Sequence, residues 1–391
     1  MAYTTIDDGS EYFHTQLYTG NGSSGHSITN NANAGDYKPD WLWIKPRSAS
    51  DNHVVFDSSR TSNKRLKVNS SDAEDSDGTA QVTFESNGFD LDTTDPNFNG
   101  SGTTYVAWQW KANGGTTSSN SSGSITSTVQ ANTTAGFSIV TYTGNGTAGA
   151  TIGHGLGAVP HVIIVKNRSK GTDGDWNVFH HKNTSEPETD FLVLNNTDAT
   201  SDASNRWNDT TPTSSVFTVG STLRVNEDGD NYIAYLFCEK QGYSKFASYK
   251  GNGSENGSYI YTGFKPAWIL YKGSTLAENY IMNDTKRDPH NLTFHRLDAE
   301  RNIAETTNTG STNPIIDILS NGFKIRGSGN VNNGSGETYI YMAFAEHPFV
   351  SSEGVPVTAR WLLVINVKTE SAIVSKWNYQ TTLLSQCQWE T

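Results

Sequence analysis

Two short acidic loops carry the side chains best suited to metal chemistry. Several carboxylates within a few loop residues supply the hard oxygen ligands that Ca²⁺ prefers. The candidate calcium ligands are Asp72, Asp75 and Asp77 in the first loop and Asp228 and Asp230 in the second. Neither loop has EF-hand spacing, so a solvated turn is the alternative interpretation of both.

Two tryptophans and a histidine are the candidates for contact with an organic ligand. Trp176 and Trp207 lie among polar residues and occur in the second copy only, and an exposed indole stacks on sugar faces and often anchors a binding interface. Packing at a loop tip is the alternative. His180 lies nearby and joins the candidates. His181 follows it directly, so on a strand the two side chains face opposite sides and cannot share a metal.

No recognisable catalytic arrangement accompanies these residues. The sequence has no nucleophile elbow, no HExxH motif and no phosphate-binding loop. The glycines of residues 153–157 precede a strand-like segment, which indicates a turn. Glycoside cleavage needs two carboxylates at a fixed separation, and nothing distinguishes such a pair from the many turn aspartates. We therefore predict a protein that is not an enzyme and has no catalytic residues, with a polysaccharide depolymerase as the enzymatic alternative. We expect no cofactor other than calcium.

Five ordered landmarks occur in triplicate along the 391 residues and determine the architecture. They are a strand-like segment ending in Gly-Asn-Gly, a proline-led apolar run closed by lysine, a Leu…Asp-Ala segment, a short turn before phenylalanine, and a tyrosine-led apolar run. The three copies of each landmark follow the same order along the chain. The Gly-Asn-Gly segment is at residues 13–22, 137–146 and 246–253, and the proline-led run is at 39–45, 160–166 and 266–272. The Leu…Asp-Ala segment is at 66–73, 192–199 and 292–299, the turn before phenylalanine at 86–89, 214–217 and 320–323, and the tyrosine-led run at 105–110, 232–237 and 339–344. The proline-led run is continuously apolar, which indicates a strand covered on both faces.

Each copy reads as a series of short strands joined by Gly, Asn and Asp turns. This pattern predicts an all-β chain of three antiparallel β-sandwich modules, jelly-roll-like in character. The predicted divisions are module 1 at 1–112, a Gly/Ser/Thr/Asn-rich flexible linker at 113–135, module 2 at 136–241, module 3 at 242–348, and a C-terminal extension at 349–391 for packing, oligomerisation or attachment.

Composition excludes several partners. The net charge is −12 and no cluster of Lys and Arg exists, so we expect no nucleic acid binding. No apolar run approaches the roughly 20 residues of a membrane span, so we expect no membrane insertion. The first nine residues lack the apolar run of a signal peptide, and the two cysteines are far apart. We therefore predict that the protein is synthesised in a reducing cytoplasm.

Several segments together resemble a family of marine tailed-bacteriophage virion proteins. They are residues 3–8 (YTTIDD), the YTGNG segments, and residues 105–116 (YVAWQWKANGGT), 153–157 (GHGLG), 261–266, 286–289 and 354–360. The resemblance implies a tail-fibre or other surface structural protein with β-sandwich modules and carries no catalytic motif. Residues 361–391 depart from the family pattern, which leaves the role of the C-terminus open.

The resemblance leads to one functional expectation and one alternative. We expect a phage virion structural protein, a tail-fibre or receptor-binding component that contacts host surface polysaccharide and other virion proteins. By analogy with fibres we expect a homotrimer, which would add multivalency. The alternative is a capsid decoration or vertex fibre without receptor activity, which needs a large apolar docking face.

Overall fold

The computed structural model describes residues 4–76, 81–307, 310 and 312–347, and the backbone of 363–366 and 373–376. About 40% of the chain is strand and 3% is helix, and the sheets are antiparallel. The sheets pair into sandwich-like modules, which confirms the predicted fold class. No helix in the described part of the chain is long and apolar enough to cross a bilayer.

The first module consists of a six-stranded sheet, in the order β1-β9-β3-β4-β5-β6, and a three-stranded sheet, β2-β8-β7. Its elements are a 3-10 helix (Gly9–Glu11), β1 (Phe13–Thr19), β2 (His26–Thr29), β3 (Trp41–Pro46), β4 (Val54–Asp57), β5 (Lys64–Lys67), β6 (Asp75–Ser76), β7 (Val82–Glu85), β8 (Gly88–Leu91), α1 (Pro96–Asn99) and β9 (Thr104–Trp110).

The second module has an eight-stranded sheet, β10-β11-β12-β19-β14-β15-β16-β17, and a two-stranded sheet, β13-β18. Its strands are β10 (Ser118–Asn120), β11 (Ser127–Asn132), β12 (Phe137–Thr143), β13 (Ala150–Gly153), β14 (Val162–Asn167), β15 (Trp176–His180), β16 (Asp190–Val193), β17 (Ser201–Asp202), β18 (Val216–Val219) and β19 (Asn231–Phe237).

The third module repeats the first, with the sheets β20-β28-β22-β23-β24-β25 and β21-β27-β26. Its elements are β20 (Ser244–Lys250), β21 (Tyr259–Tyr261), β22 (Trp268–Gly273), β23 (Ile281–Asp284), β24 (His295–Asp298), β25 (Thr306–Thr307), β26 (Ile316–Leu319), β27 (Gly322–Ile325), α2 (Asn330–Asn333) and β28 (Thr338–Phe344). Within the C-terminal extension, β29 (Leu363–Asn366) pairs with β30 (Ile373–Lys376). The rest of the extension lies outside the described residues.

Alternation along the proline-led strands explains why each large sheet is covered on both faces. In β3, Trp41 and Trp43 point to one side, whereas Leu42 and Ile44 pack with the small sheet of the same module. All six residues of β3 are buried. The predicted double-covered strand is therefore confirmed, and the second face needs a partner from outside its own sandwich.

That partner is the other two modules, since all three large sheets pack around one shared core. Trp110, Phe237 and Phe344 end the equivalent strands β9, β19 and β28. Their ring centroids form a triangle with sides of 6.5 Å (Trp110–Phe237), 5.7 Å (Phe237–Phe344) and 5.6 Å (Phe344–Trp110). The modules are thus arranged about a pseudo-threefold axis within a single chain.

Equivalent backbone hydrogen bonds close this ring at three junctions. The amide of Glu74 donates to the carbonyl of Arg168 in the second module (2.8 Å), and Thr200 donates to Ser274 in the third (2.9 Å). The amide of Glu305 donates to Arg47 in the first module (2.7 Å). The direction is the same each time, from one module to the next, so the contacts are head-to-tail and the ring is closed.

Two details differ from the sequence-based expectations. Residues 113–135, predicted as a flexible linker, contain β10 and β11, and β11 pairs with β12. Backbone pairing does not require apolar side chains, so a Ser/Thr/Asn-rich composition concealed these strands. The third copy of the Leu…Asp-Ala landmark is also shifted, because Leu297 pairs with Met282 as Leu66 pairs with Val55. Leu297, not Leu292, is therefore the counterpart of Leu66.

Candidate functional site

The three residues predicted to contact a ligand are buried. Trp176 lies in β15, is 1% exposed, and donates its indole N–H to the carbonyl of Lys67 in the first module (2.9 Å). Trp207 is 2% exposed and donates to the carbonyl of Asp190 (3.0 Å). His180 is 2% exposed and its Nε2 lies 3.2 Å from the carbonyl of Tyr341. The exposure that the ligand-contact interpretation requires of the two tryptophans is therefore wrong, since both indoles are packed inside the protein.

The polar residues flanking the two tryptophans explain the error. Asn177, next to Trp176, is itself fully buried, and its amide oxygen accepts a hydrogen bond from Arg206, the neighbour of Trp207. The polar pattern thus reflects a buried hydrogen-bond network. A single sequence cannot distinguish such a network from an exposed loop, because the two have the same composition.

The acidic loops are largely engaged in ion pairs. Asp72 pairs with Lys67 (2.9 Å), and Asp75 pairs with Arg65 (2.6 Å). Asp230 is buried and accepts a hydrogen bond from Asn167 (3.0 Å). Asp228 is exposed, and Asp77 lies outside the described residues. The described carboxylates therefore face mainly protein partners, and calcium binding stays a prediction without further support.

A cluster of possible metal ligands lies instead where the second module meets the third. His161, His181 and Glu239 each offer one ligand atom, and these atoms lie within 4.8 Å of one another. Burial, followed by the neighbouring His181, lowers the pKa of His161 to about 4. Three distant segments supply this set, so sequence spacing could not reveal it.

Hydrogen bonds already occupy much of this cluster. The Glu239 amide donates to Nδ1 of His161 (3.1 Å), so the neutral ring carries its proton on Nε2. Nε2 of His181 lies 2.7 Å from the carbonyl of Phe246, and Lys245 pairs with the Glu239 carboxylate (2.6 Å). A metal would have to displace the Nε2 proton and the lysine. The hydrogen bonds and the ion pair of this cluster therefore join the second module to the third.

A pair of exposed tyrosines on the third module offers a better ligand surface. Large exposed hydrophobic side chains are few in the described ranges, and two of them are Tyr259 and Tyr261, at 44% and 58% exposure. They flank Ile260 in β21, whose side chain is buried opposite Phe323. The two rings therefore lie on the same outer face, roughly 7 Å apart along the strand. The Tyr259 hydroxyl donates to the Asn321 side chain (2.5 Å), which holds that ring in place.

The tyrosine pair is specific to the third module. The buried isoleucine and its phenylalanine partner recur as Ile28 with Phe89 and as Ile152 with Phe217. The residues flanking those isoleucines are Ser27 and Thr29 in the first module, and Thr151 and Gly153 in the second. Sequence reasoning missed the tyrosines because the segment matches no landmark, although the alternation Tyr-Ile-Tyr was a usable signal.

The fold and these sites define the class of protein: it is a single-chain ring of three β-sandwich modules, with the exposed pair Tyr259 and Tyr261 on one outer face. The chain belongs to the family of the domain of unknown function DUF7483, whose model matches residues 8–348. That match spans all three modules, so the family unit is the whole ring. No curated protein and no solved structure matches the chain significantly.

Proposed function

We propose that the protein is a phage virion structural component, of the tail-fibre or receptor-binding kind, that contacts host surface glycan. The observation that carries the proposal is the exposed pair Tyr259 and Tyr261 on an outer sheet. Pyranose rings present apolar C–H faces that stack on aromatic rings, and tyrosine combines that face with a polar hydroxyl. The resemblance to marine tailed-phage virion proteins supplies the biological context.

The ring architecture supports a structural role in a symmetric particle. Virion appendages are built on rotational axes, and a closed three-module ring can lie on a threefold axis as one chain. The expected homotrimer stays a prediction, testable by analytical ultracentrifugation. The same ring geometry favours the second candidate, a capsid decoration or vertex fibre without receptor activity. Copy number per virion separates the two, because decoration requires many more copies than a tail fibre.

The test is binding of fluorescently labelled full-length protein to intact host cells, with and without extracted host polysaccharide as competitor. The test variant is Tyr259→Ala/Tyr261→Ala, and the matched control is Ser27→Ala/Thr29→Ala at the equivalent positions of the first module. We expect saturable binding that the polysaccharide abolishes, and at least a tenfold loss of affinity in the tyrosine variant alone. Absence of binding by the folded wild-type protein would refute the receptor role.

A further inference from the structure

The second module contains a buried arginine that forms no ion pair with any described carboxylate. Arg206 is 6% exposed and donates hydrogen bonds from Nε to the amide oxygen of Asn177 (3.0 Å) and from Nη1 to that of Asn205 (2.5 Å). No carboxylate of the described residues forms an ion pair with it. The buried arginines Arg60 and Arg287 each pair with two carboxylates. A buried cation without a direct ion pair is costly, and the carboxylate that acts on Arg206, Asp175, is already paired with Arg224.

Arg206 lines a polar pocket of about 180 Å³ on the second module. Its guanidinium stacks on the ring of Phe191, 4.4 Å from the centroid. Arg224 also lines the pocket, but Asp173 (2.9 Å) and Asp175 (3.0 Å) already neutralise it. Burial, followed by repulsion from Arg224, lowers the pKa of Arg206 to about 10 against the attraction of Asp175, so the side chain still carries its charge at neutral pH.

The remaining lining is suited to a small polar ligand. Asn196 and Ser201 contribute an amide and a hydroxyl, and Phe191 contributes an apolar face. Asp198 also lines the pocket; it is exposed, and its carboxylate accepts a hydrogen bond from Asn196 (2.8 Å). The carboxylates of Asp175 and Asp198 also line the pocket, but Asp175 is paired with Arg224, so Arg206 is the lining cation without an ion pair and lies beside groups that can bind hydroxyls.

Neither of the other two modules has an arginine at the position of Arg206. The backbone carbonyl of Arg206 accepts a hydrogen bond from the amide of Gly220. At the equivalent places in the other modules, the carbonyl of Gln81 accepts from the amide of Asp92, and the carbonyl of Ile315 accepts from the amide of Arg326. The counterparts of Arg206 are therefore Gln81 and Ile315. The outer sheet of the second module also has two strands where the others have three. The turn-rich residues 203–213 occupy the corresponding part of the chain, and they include Arg206.

We propose that this pocket binds an oxyanion group, a carboxylate or a sulfate, with Arg206 as its counter-ion. The planar guanidinium matches such groups in geometry, and a direct ion pair for the buried cation favours binding. Phe191, Asn196 and Ser201 suit the ring and hydroxyls of an acidic sugar. The oxyanion chemistry stands on the pocket alone, whereas the identification of the ligand as an acidic saccharide rests on the proposed function.

The experiment is titration calorimetry of the full chain at constant ionic strength. The probes are glucuronate, its neutral counterpart glucose, and inorganic sulfate. The test variants are Arg206→Gln, which introduces the residue of the first module, and Arg206→Lys, which keeps the charge but not the planar fork. The matched control is Arg326→Gln, which removes one partly exposed arginine from the third module. Circular dichroism and thermal unfolding verify that each variant is folded.

We expect glucuronate or sulfate to bind the wild type and Arg326→Gln, with at least tenfold weaker binding to Arg206→Gln. Arg206→Lys should bind with intermediate affinity, and glucose should not bind detectably. Sulfate binding without glucuronate binding would identify the ligand as a free tetrahedral anion instead of a sugar acid. Absence of both, or equal binding to Arg206→Gln, would overturn the proposal.

If Arg206→Gln fails to fold, the wild-type protein still provides a test. A ligand that binds only the folded state raises its unfolding temperature, so saturating glucuronate or sulfate should do so at fixed ionic strength and glucose should not. Equal shifts with all three probes would count against the site. The result is separable from the proposed function, because Tyr259→Ala/Tyr261→Ala should bind these small anions as the wild type does.

Discussion

The three junctions of the ring occupy equivalent positions but use different chemistry. Where the first module meets the second, Asp57, Arg60, Glu74 and Arg168 form a chain of ion pairs, each 2.6–2.9 Å long. Where the third meets the first, Asp284, Arg287, Glu305 and Arg47 repeat this chain at 2.5–3.1 Å. Two of the three junctions are thus ionic.

The junction between the second and third modules replaces every charged member of that chain. His180, Asn183, Thr200 and Ser274 stand at the equivalent positions, and Thr200 donates to the side chain of Asn183 (2.7 Å). A cavity of about 20 Å³, room for roughly one water molecule, lies beside His180. At these four positions the same backbone geometry is therefore compatible with buried ion pairs at two junctions and with neutral hydrogen bonds at the third.

The largest expected effect comes from breaking one ionic junction. Asp284→Ala leaves the fully buried Arg287 without its nearest carboxylate and the Trp108 indole without its acceptor, 3.0 Å away. Glu305 still pairs with Arg287, so the lost ion pair and the lost Trp108 acceptor together should cost about 3 kcal/mol of unfolding free energy, the lower end of the range for breaking a buried pair. Urea unfolding measures this loss. His180→Ala at the equivalent neutral position is the control and should cost clearly less; equal losses would remove the distinction between the junctions.

Acid should weaken the histidine junction before the ionic ones. Burial, followed by His181, lowers the pKa of His180 to about 3, and it faces His161, His181, Lys182 and the backbone of Tyr341. The unfolded state therefore binds a proton near pH 6.5 that the folded state does not, so stability is full above pH 6.5 and falls as pH drops toward 3.

At pH 4.5 this histidine should account for a loss of roughly 2–3 kcal/mol, since each pH unit corresponds to about 1.4 kcal/mol. Burial alone would raise the pKa of Glu74, but Arg168 and Arg60 hold it below its usual value, so the ionic junctions weaken only at lower pH. The measurement is urea unfolding of wild type and His180→Gln from pH 7 to 4.5. Parallel pH profiles would contradict the assignment.

A smaller loss should follow removal of one hydroxyl from the first junction. Tyr235→Phe deletes the hydrogen bond from the Tyr235 hydroxyl to the Asp57 carboxylate (2.8 Å) and leaves the Arg60 pair intact. A hydrogen bond to a charged group contributes about 1.5–3 kcal/mol, and the remaining partner should keep the loss near 1.5 kcal/mol. Thermal unfolding measures it, and an effect below about 0.5 kcal/mol would show that Asp57 does not need this donor.

The smallest effect is expected at the partly exposed end of the same chain. Arg168→Ala removes a guanidinium that is 20% exposed and pairs with Glu74 at 2.7 Å. Exposed pairs contribute about 0.2–1 kcal/mol, and Glu74 retains Arg60 as a partner. The loss should shrink further in 1 M salt. A loss above 2 kcal/mol would mean that the backbone contact at this junction depends on the arginine.

Triplication and fold class were predictable because local patterns encode them. The stacked tyrosine pairs illustrate this: Tyr18 with Tyr105, Tyr142 with Tyr232, and Tyr249 with Tyr339 have ring centroids 4.9–5.1 Å apart. Each pair joins the Gly-Asn-Gly landmark to the tyrosine-led landmark. The sequence showed both landmarks three times, and the turn glycine Gly22 has the positive φ of 65° that such a turn requires.

The candidate ligand residues were not predictable in the same way. Trp176 has polar neighbours yet is buried, because the first module covers the strand face that the second module would expose if it stood alone. Conversely, Tyr259 and Tyr261 are exposed, and the Tyr-Ile-Tyr alternation indicates only that their two rings share a face. Exposure is a property of the assembled ring, and periodicity within one strand reports only which side chains share a face.

The all-β, modular and triplicated organisation follows from the sequence, since turns, strand alternation and repeats are short-range features. Three facts required the folded structure: the modules form a closed ring, Arg206 forms no ion pair with a carboxylate of the described residues, and His161 approaches Glu239. These facts depend on contacts between residues tens to hundreds of positions apart. Such contacts follow from packing three sheet faces into one core, and no local pattern encodes that choice.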